Sequence, residues 1–149
     1  MKNLIGANSI CQVGVVVKDI DASAKRYAKI FGVDVPEVII TDVAEVAHTE
    51  LRGQSTPARA KLAFFKMGQL SLELIEPLGG PSTWKEFLDQ HGEGVHHLAF
   101  EIKDTDGVVK NLEAEGLPVL QRGDYTGGRY TYVGSEAALG TVVELLENF

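Results

Sequence analysis

A weak internal repeat constrains this chain more than any other feature. Gln12-Val-Gly-Val-Val-Val-Lys-Asp-Ile-Asp21 lines up with His97-Leu-Ala-Phe-Glu-Ile-Lys-Asp-Thr-Asp106. Near the end of each copy, Leu72-Glu-Leu-Ile-Glu76 lines up with Val143-Glu-Leu-Leu-Glu147. Each copy therefore carries a donor side chain at its start, Gln12 or His97, and another at its end, Glu73 or Glu144. A duplicated unit of this kind brings four donors to one pseudo-twofold axis. A hydrophobic core has no need of that arrangement.

The local pattern gives each copy the order β-α-β-β-β. Ile10–Val17 is rich in β-branched residues and predicts a strand buried on both faces. Asp19 or Asp21 caps the helix that follows. Ala24, Tyr27, Ala28 and Phe31 share one face of it, and Gly32 ends it. Residues 38–54 hold strand-like pieces, and Arg52-Gly-Gln-Ser-Thr-Pro57 reads as a flexible loop. Lys61–Met67 and Leu70–Glu76 form a hairpin whose Gly68-Gln69 pair suits a type II′ turn. Pro77-Leu-Gly-Gly-Pro81 breaks the pattern, and Ser82 caps a short helix carrying Trp84, Phe87 and Leu88. The second copy runs from a strand at Val95–Ile102 through a helix capped by Asp104 or Asp106. Strands then follow at Pro118–Gln121, Arg129–Val133 and Thr141–Leu146. The expected layout is α+β, with module one at residues 10–78, a linker helix at 79–93 and module two at 94–149. With 149 residues, the chain suits one compact domain, and two half-size modules sharing a sheet also fit.

Composition narrows the function classes. A net charge of −7 and a pI of about 5.0 argue against a nucleic-acid or anionic-membrane surface. The single cysteine, Cys11, excludes an internal disulfide framework and favours a cytoplasmic protein. The first residues lack the apolar stretch of a signal peptide, and no apolar run is long enough to span a bilayer.

Strand side chains alternate between faces, so Gln12 and Gly14 point one way, as do His97 and Ala99. The small neighbours leave room above a metal. Glu73 and Glu144 point opposite to Glu76 and Glu147, so one carboxylate of each pair faces inward among apolar residues. Burying an unpaired carboxylate costs several kcal/mol, and a bound cation is the simplest compensation. One imidazole, two carboxylates and an amide oxygen suit a divalent ion, and Mg, Mn, Co, Ni and Zn all tolerate these donors. The plain alternative makes Glu73 and Glu144 solvated edge carboxylates, with Gln12 and His97 as satisfied core groups.

The other candidates carry less. By strict alternation His96 faces the other side of the sheet from His97, in a structural or supporting role. His48 and His91 read as solvated. Cys11 reads as a small buried residue rather than a nucleophile, and Trp84 and Phe87 as packing for the linker helix. Arg52, Arg59, Lys61 and Arg129 could contact an anionic substrate, although lone surface charges are commoner.

These residues resemble the vicinal oxygen chelate superfamily, which includes glyoxalase I, methylmalonyl-CoA epimerases, extradiol dioxygenases and antibiotic-resistance proteins. The resemblance runs from Gln12 to Glu147 and is closest to the epimerases. Leu72-Glu-Leu-Ile-Glu-Pro-Leu-Gly79, Trp84-Lys-Glu-Phe-Leu88 and Gly92-Glu-Gly-Val-His-His-Leu-Ala-Phe-Glu-Ile102 carry it. It implies paired βαβββ modules forming a curled mixed sheet around a metal, a small-molecule substrate and commonly a homodimer. It places the metal ligands on Gln12, Glu73, His97 and Glu144. The epimerases usually have His at the first ligand position, and a Gln-Glu-His-Glu set resembles some glyoxalase I enzymes. An epimerase-like His-Pro-Lys-Ser turn is also replaced here by Val133-Gly-Ser-Glu-Ala-Ala-Leu-Gly140. Either relative implies proton removal next to a carbonyl, with Glu144 as the first candidate base and Glu73 as its counterpart. The alternatives are a glyoxalase-type lyase and a metal-free binding or resistance protein; only one inward His argues against a dioxygenase.

Overall fold

A computed structural model describes all residues, 1–149. The repeat folds as two halves of one ten-stranded sheet. In the first half, β1 (Gln12–Val16) leads into α1 (Ile20–Phe31), followed by β2 (Ile39–Ile40), α2 (Ala44–Ala47), β3 (Glu50–Leu51) and β4 (Gln54–Ser55), then β5 (Arg59–Met67) and β6 (Leu70–Leu78). The linker helix α3 (Thr83–His91) precedes β7 (Gly94–Glu101), α4 (Thr105–Ala114), β8 (Val119–Tyr125), β9 (Gly128–Val133), α5 (Glu136–Leu139) and β10 (Val142–Asn148). The sheet order is β2-β5-β6-β1-β7-β10-β9-β8-β3-β4. Read outward from the centre, β1-β6-β5-β2 mirrors β7-β10-β9-β8. The two halves meet where β1 runs antiparallel to β7, and each first strand lies parallel to its own last strand. The sheet curls into a half-barrel, the expected α+β architecture.

The ends of the helices follow the sequence. Asp19 accepts a hydrogen bond from the Ala22 N–H at 3.1 Å, and Gly32 closes α1 with φ 67°. Asp104 caps α4 by accepting from Gly107 N–H at 3.1 Å. Glu147 reaches the same helix start, accepting from the Asp104 N–H at 2.9 Å and the Thr105 hydroxyl at 2.7 Å. These bonds satisfy donors that a helix start otherwise leaves unpaired. Glu76 pairs with Lys61 at 3.2 Å. Both partner carboxylates thus turn away from the site face.

One face of the sheet is covered by helices. Ile20, Ala24 and Ala28 of α1 pack on Val15, Phe65 and Leu74, while Val108 and Leu112 of α4 pack on Val133, Val143 and Leu145. Each fully buried Leu or Ile contributes about 1.5–3 kcal/mol. The opposite face holds a cavity, closed at one end by α3, whose Trp84 packs on Val16, Ile75 and Tyr132.

One segment departs from expectation. Arg52–Pro57 is an ordered hairpin turn, not a flexible loop. Arg52 and Gly53 both have positive φ, 49° and 80°, as a two-residue primed turn requires. The hairpin is tied down by a bidentate Arg52–Glu86 pair at 2.8 and 3.0 Å and by the Thr56 hydroxyl donating to Pro81 C=O at 2.7 Å. It belongs to the first copy, yet β3 pairs with β8 of the second copy. Long-range pairing of this kind leaves no periodic trace in the local sequence.

Candidate functional site

The four donors sit on the four central strands, on the cavity face. His97 is fully buried, and Gln12, Glu73 and Glu144 are nearly so. Three oxygens close on one ring nitrogen. From His97 Nε2, Gln12 Oε1 lies at 3.1 Å, Glu144 Oε2 at 3.0 Å and Glu73 Oε1 at 3.5 Å. One ring N–H cannot serve three acceptors. Glu144 Oε2 is buried at ion-pair distance from Nε2 but makes no hydrogen bond of good geometry, a costly condition in a dry interior.

The small neighbour on β1 has a different purpose from the one expected. A Cβ added at Gly14 would overlap the His97 ring. Gly14 therefore makes room for the imidazole itself rather than for space above an ion. Ala99, the Cα partner of both Gln12 and Glu144, is fully buried between them.

His96 also departs from strict alternation. Between β1 and β7 the register runs Gly14↔His97 and then Val15↔Val95, so His96 is the extra residue of a β-bulge. A bulge breaks the two-residue period. Here it brings His96 Nδ1 to 3.0 Å from His97 Nδ1. Burial, reinforced by the charge on His97, pushes His96 down to about 3. His96 is therefore neutral and free to accept a hydrogen bond from His97 Nδ1–H. The same bond is kept by the protonated ring and, with an ion bound, would select the neutral tautomer whose Nε2 lone pair faces that ion.

The electrostatics follow from packing two carboxylates around one imidazole. Burial and then the neighbouring Glu144 push the Glu73 carboxyl up to about 8, against the opposing pull of His97. Burial alone would lower His97, but Glu144 and Glu73 outweigh it and raise the imidazole above its usual value. A proton on His97 thus supplies the positive charge that the carboxylates demand. The donor types, one imidazole, two carboxylates and an amide oxygen, are those a divalent ion takes. Adjacent ligands of a six-coordinate ion with bonds of ~2.1 Å lie ~3.0 Å apart, close to the spacing seen around Nε2. The orphaned oxygen of Glu144 is the donor such an ion would satisfy.

Above the four donors is a cavity of about 490 Å³, within the range of small-molecule sites. Tyr130 and Tyr132 line it, and sequence reasoning passed over both. Alternation from Arg129 to Val133 puts them on the face of Glu144, but two aromatic residues on a strand read first as packing. Trp84, read as packing alone, also lines the cavity and donates Nε1–H to the Tyr132 hydroxyl at 3.0 Å. Apart from Glu73 and Glu144, the acidic lining residues are Asp42 and Asp124. Asp124 lies 3.0 Å from His48, whose side chain is solvent-exposed as expected.

None of the four basic candidates lines the cavity. Arg52 and Lys61 are paired with Glu86 and Glu76, Arg59 donates to Thr41 C=O at 2.8 Å, and Arg129 lies 5.2 Å over the Phe149 ring. Cys11 lies 3.4 Å from Ala99 C=O, and burial raises its thiol. His91 ends α3, its ring 5.0 Å from Phe87.

Known proteins share this architecture. Methylmalonyl-CoA epimerase of Dictyostelium discoideum is 26% identical over 147 residues, covering 96% of this chain and 80% of that one. 2-epi-5-epi-valiolone epimerase of an Actinomyces species is 25% identical over 139 residues, covering 88% and 75%. Among solved structures, a variant of Streptomyces coelicolor methylmalonyl-CoA epimerase in complex with 2-nitronate-propionyl-CoA superposes with a TM-score of 0.66. It shares 27% identity, and the match covers 96% of each chain. Residues 11–134 match the model of the Glyoxalase/Bleomycin resistance protein/Dioxygenase superfamily, and to that superfamily, the vicinal oxygen chelate fold, this chain belongs.

Proposed function

We propose that this protein is a metal-dependent epimerase that removes a proton from the carbon next to a carbonyl, acting on an acyl-CoA thioester such as methylmalonyl-CoA. One observation carries the reading: the oxygens of Gln12, Glu73 and Glu144 gather within 3.0–3.5 Å of His97 Nε2 at the base of a substrate-sized cavity. These four residues would hold a divalent ion such as Co, Ni, Zn, Mn or Mg. When bound, the ion supplies Lewis-acid stabilisation of negative charge developing on the carbonyl oxygen.

The chain's own groups do the proton work. A Glu144 carboxylate oxygen not held by the ion would take the proton as the carbon–hydrogen bond breaks. Glu73, on the other side of the pseudo-twofold axis, is placed to return one to the opposite face. Each carboxylate then re-equilibrates with solvent, so turnover exchanges the substrate proton. His96 keeps the His97 ring in place throughout.

The relatives' names support the acyl-CoA substrate. A second substrate reading, a hydroxylated cyclic ketone of the kind named for the Actinomyces relative, is favoured by one feature. None of the 19 cavity-lining residues is Lys or Arg, whereas Asp42 and Asp124 are among them. Deuterium incorporation at the acidic carbon of methylmalonyl-CoA tests the leading reading. Wild-type protein is expected to exchange, and Glu144→Gln to lose about 10²-fold or more. No exchange with methylmalonyl-CoA alongside exchange with a valiolone-type ketone would move the assignment to the second substrate. Turnover of methylglyoxal plus a thiol would instead support a lyase. The homodimer belongs to the same proposal, and sedimentation velocity reads it directly.

A further inference from the structure

The two cavity walls are related by the repeat, yet they differ chemically. On the first half, Phe64 is the Cα partner of Glu73, and Leu62 is the partner of Ile75. On the second half, Tyr132 is the partner of Glu144, and Tyr130 is the partner of Leu146. Equivalent positions flanking the donor cluster are thus Phe and Leu on one side and two tyrosines on the other. All four line the cavity.

Each phenol has its acceptor side already occupied. Trp84 Nε1–H can only donate, so the Tyr132 hydroxyl must accept at 3.0 Å. Gln121 Nε2 lies 3.0 Å from the Tyr130 hydroxyl. The amide orientation is fixed, because the Thr83 backbone N–H donates to Gln121 Oε1 at 2.8 Å. Gln121 can therefore only donate to Tyr130. Both hydroxyls retain their own proton; beyond Gln121, Tyr130 has the Thr49 hydroxyl as a polar neighbour, while the Tyr132 hydroxyl has no protein partner besides Trp84. Burial, followed for Tyr132 by the charges of Glu144 and Glu73, raises both phenols, so they stay protonated. The Tyr132 ring packs 5.0 Å from the His97 ring and 5.1 Å from Tyr130, which sets the two donors side by side next to the metal-type cluster.

We infer that Tyr130 and Tyr132 are paired hydrogen-bond donors to a substrate oxygen, and that with Leu62 and Phe64 opposite they fix which way round the substrate lies. The oxygen-bearing side, a second carboxylate or the oxygen that gains charge on proton loss, faces β9. The alkyl side faces β5. The inference rests on the proposed proton-abstraction site but not on the identity of its acyl-CoA substrate.

The test measures calorimetric binding of oxalate, a planar dianion, to the metal-supplemented protein, and steady-state kinetics with methylmalonyl-CoA. Tyr132→Phe and Tyr130→Phe are each expected to weaken oxalate binding about tenfold or more, the scale of a lost hydrogen bond to a charged group. Metal content should be unchanged. Kinetically, kcat should fall with kcat/KM, since the donated bond strengthens as charge develops. Phe64→Tyr should not restore the loss. Wild-type oxalate affinity in both single variants and the double variant would overturn the inference, as would failure of the metal-loaded wild type to bind oxalate. If Tyr132→Phe does not fold, the half-buried Tyr130→Phe decides alone. A wild type that binds oxalate but exchanges nothing into methylmalonyl-CoA sinks the acyl-CoA assignment, and the tyrosines are then judged on oxalate alone.

Discussion

Gly14 and His96 decide whether His97 can act, although neither touches a substrate. In Gly14→Ala the new methyl would collide with the imidazole, forcing the ring out of the cluster. A loss of metal affinity of about 10-fold or more is expected, in the range seen when groups that support a ligand are disturbed. Chelator competition measures it. His96→Phe removes the Nδ1 acceptor and leaves His97 free to place its proton on Nε2, so about 10–100-fold weaker metal binding is expected. Protonation gives a further prediction. Glu73, raised to about 8, binds its proton more tightly folded than unfolded. Between its ordinary value and about pH 8, it therefore costs the metal-free protein stability as pH rises. His97, also raised, contributes stability that is complete below the imidazole's unfolded value and lost as pH climbs through the folded one. Both act in the same direction. His96, lowered to about 3, opposes this up to the imidazole's ordinary value, so the melting temperature of chelator-treated protein should fall from pH 6.5 to 8, while the rise on adding a divalent ion should be larger at pH 8. A metal-free melting curve that climbs over this range would contradict the assignment. The side-chain directions of Gln12, Glu73 and Glu144 were legible from alternation alone. So was that of His97, but that of His96 was not, because a bulge is set by the register with β1 and not by the local pattern.

At the level of elements, β10 carries two glutamates with separate duties. Glu144 faces the cavity, and Glu147 closes the start of α4 through Asp104 and Thr105. Those bonds hold Glu147 below the usual carboxylate range, the Thr105 hydroxyl foremost. Glu144→Gln should abolish metal uptake. Glu147→Gln should leave it intact and lower the melting temperature by a few degrees, through loss of acceptors for the helix start. Equal effects on metal would mean that the two faces of the strand had been misassigned. The helix caps and the β5–β6 hairpin could be read from Asp, Ser and Gly positions because capping and turn chemistry are local. The β3–β4 hairpin could not. Its two-residue strands are too short to show a period, and their partner β8 lies in the other copy. Tyr130 and Tyr132 were missed for a related reason: their donor role appears only once Trp84 and Gln121 are known to occupy their acceptor sides.

For the whole molecule, the site exists only where the two copies meet. Gln12 and Glu73 come from the first, His97 and Glu144 from the second, and the β1–β7 seam brings them together. The duplication accounts for the symmetry of the donors, and divergence between the copies accounts for the unlike cavity walls. No helix is long and apolar enough to cross a membrane. In the proposed function, both the proton chemistry and the orienting role of the tyrosines depend on a divalent cation held jointly by these four side chains. Metal analysis of protein purified without chelator and loaded under metal-replete conditions, beside Glu144→Gln treated identically, tests that dependence most directly. A stoichiometric divalent ion in the wild type and its loss from the variant is the predicted result. No ion in the wild type, or the same content in both, would contradict it.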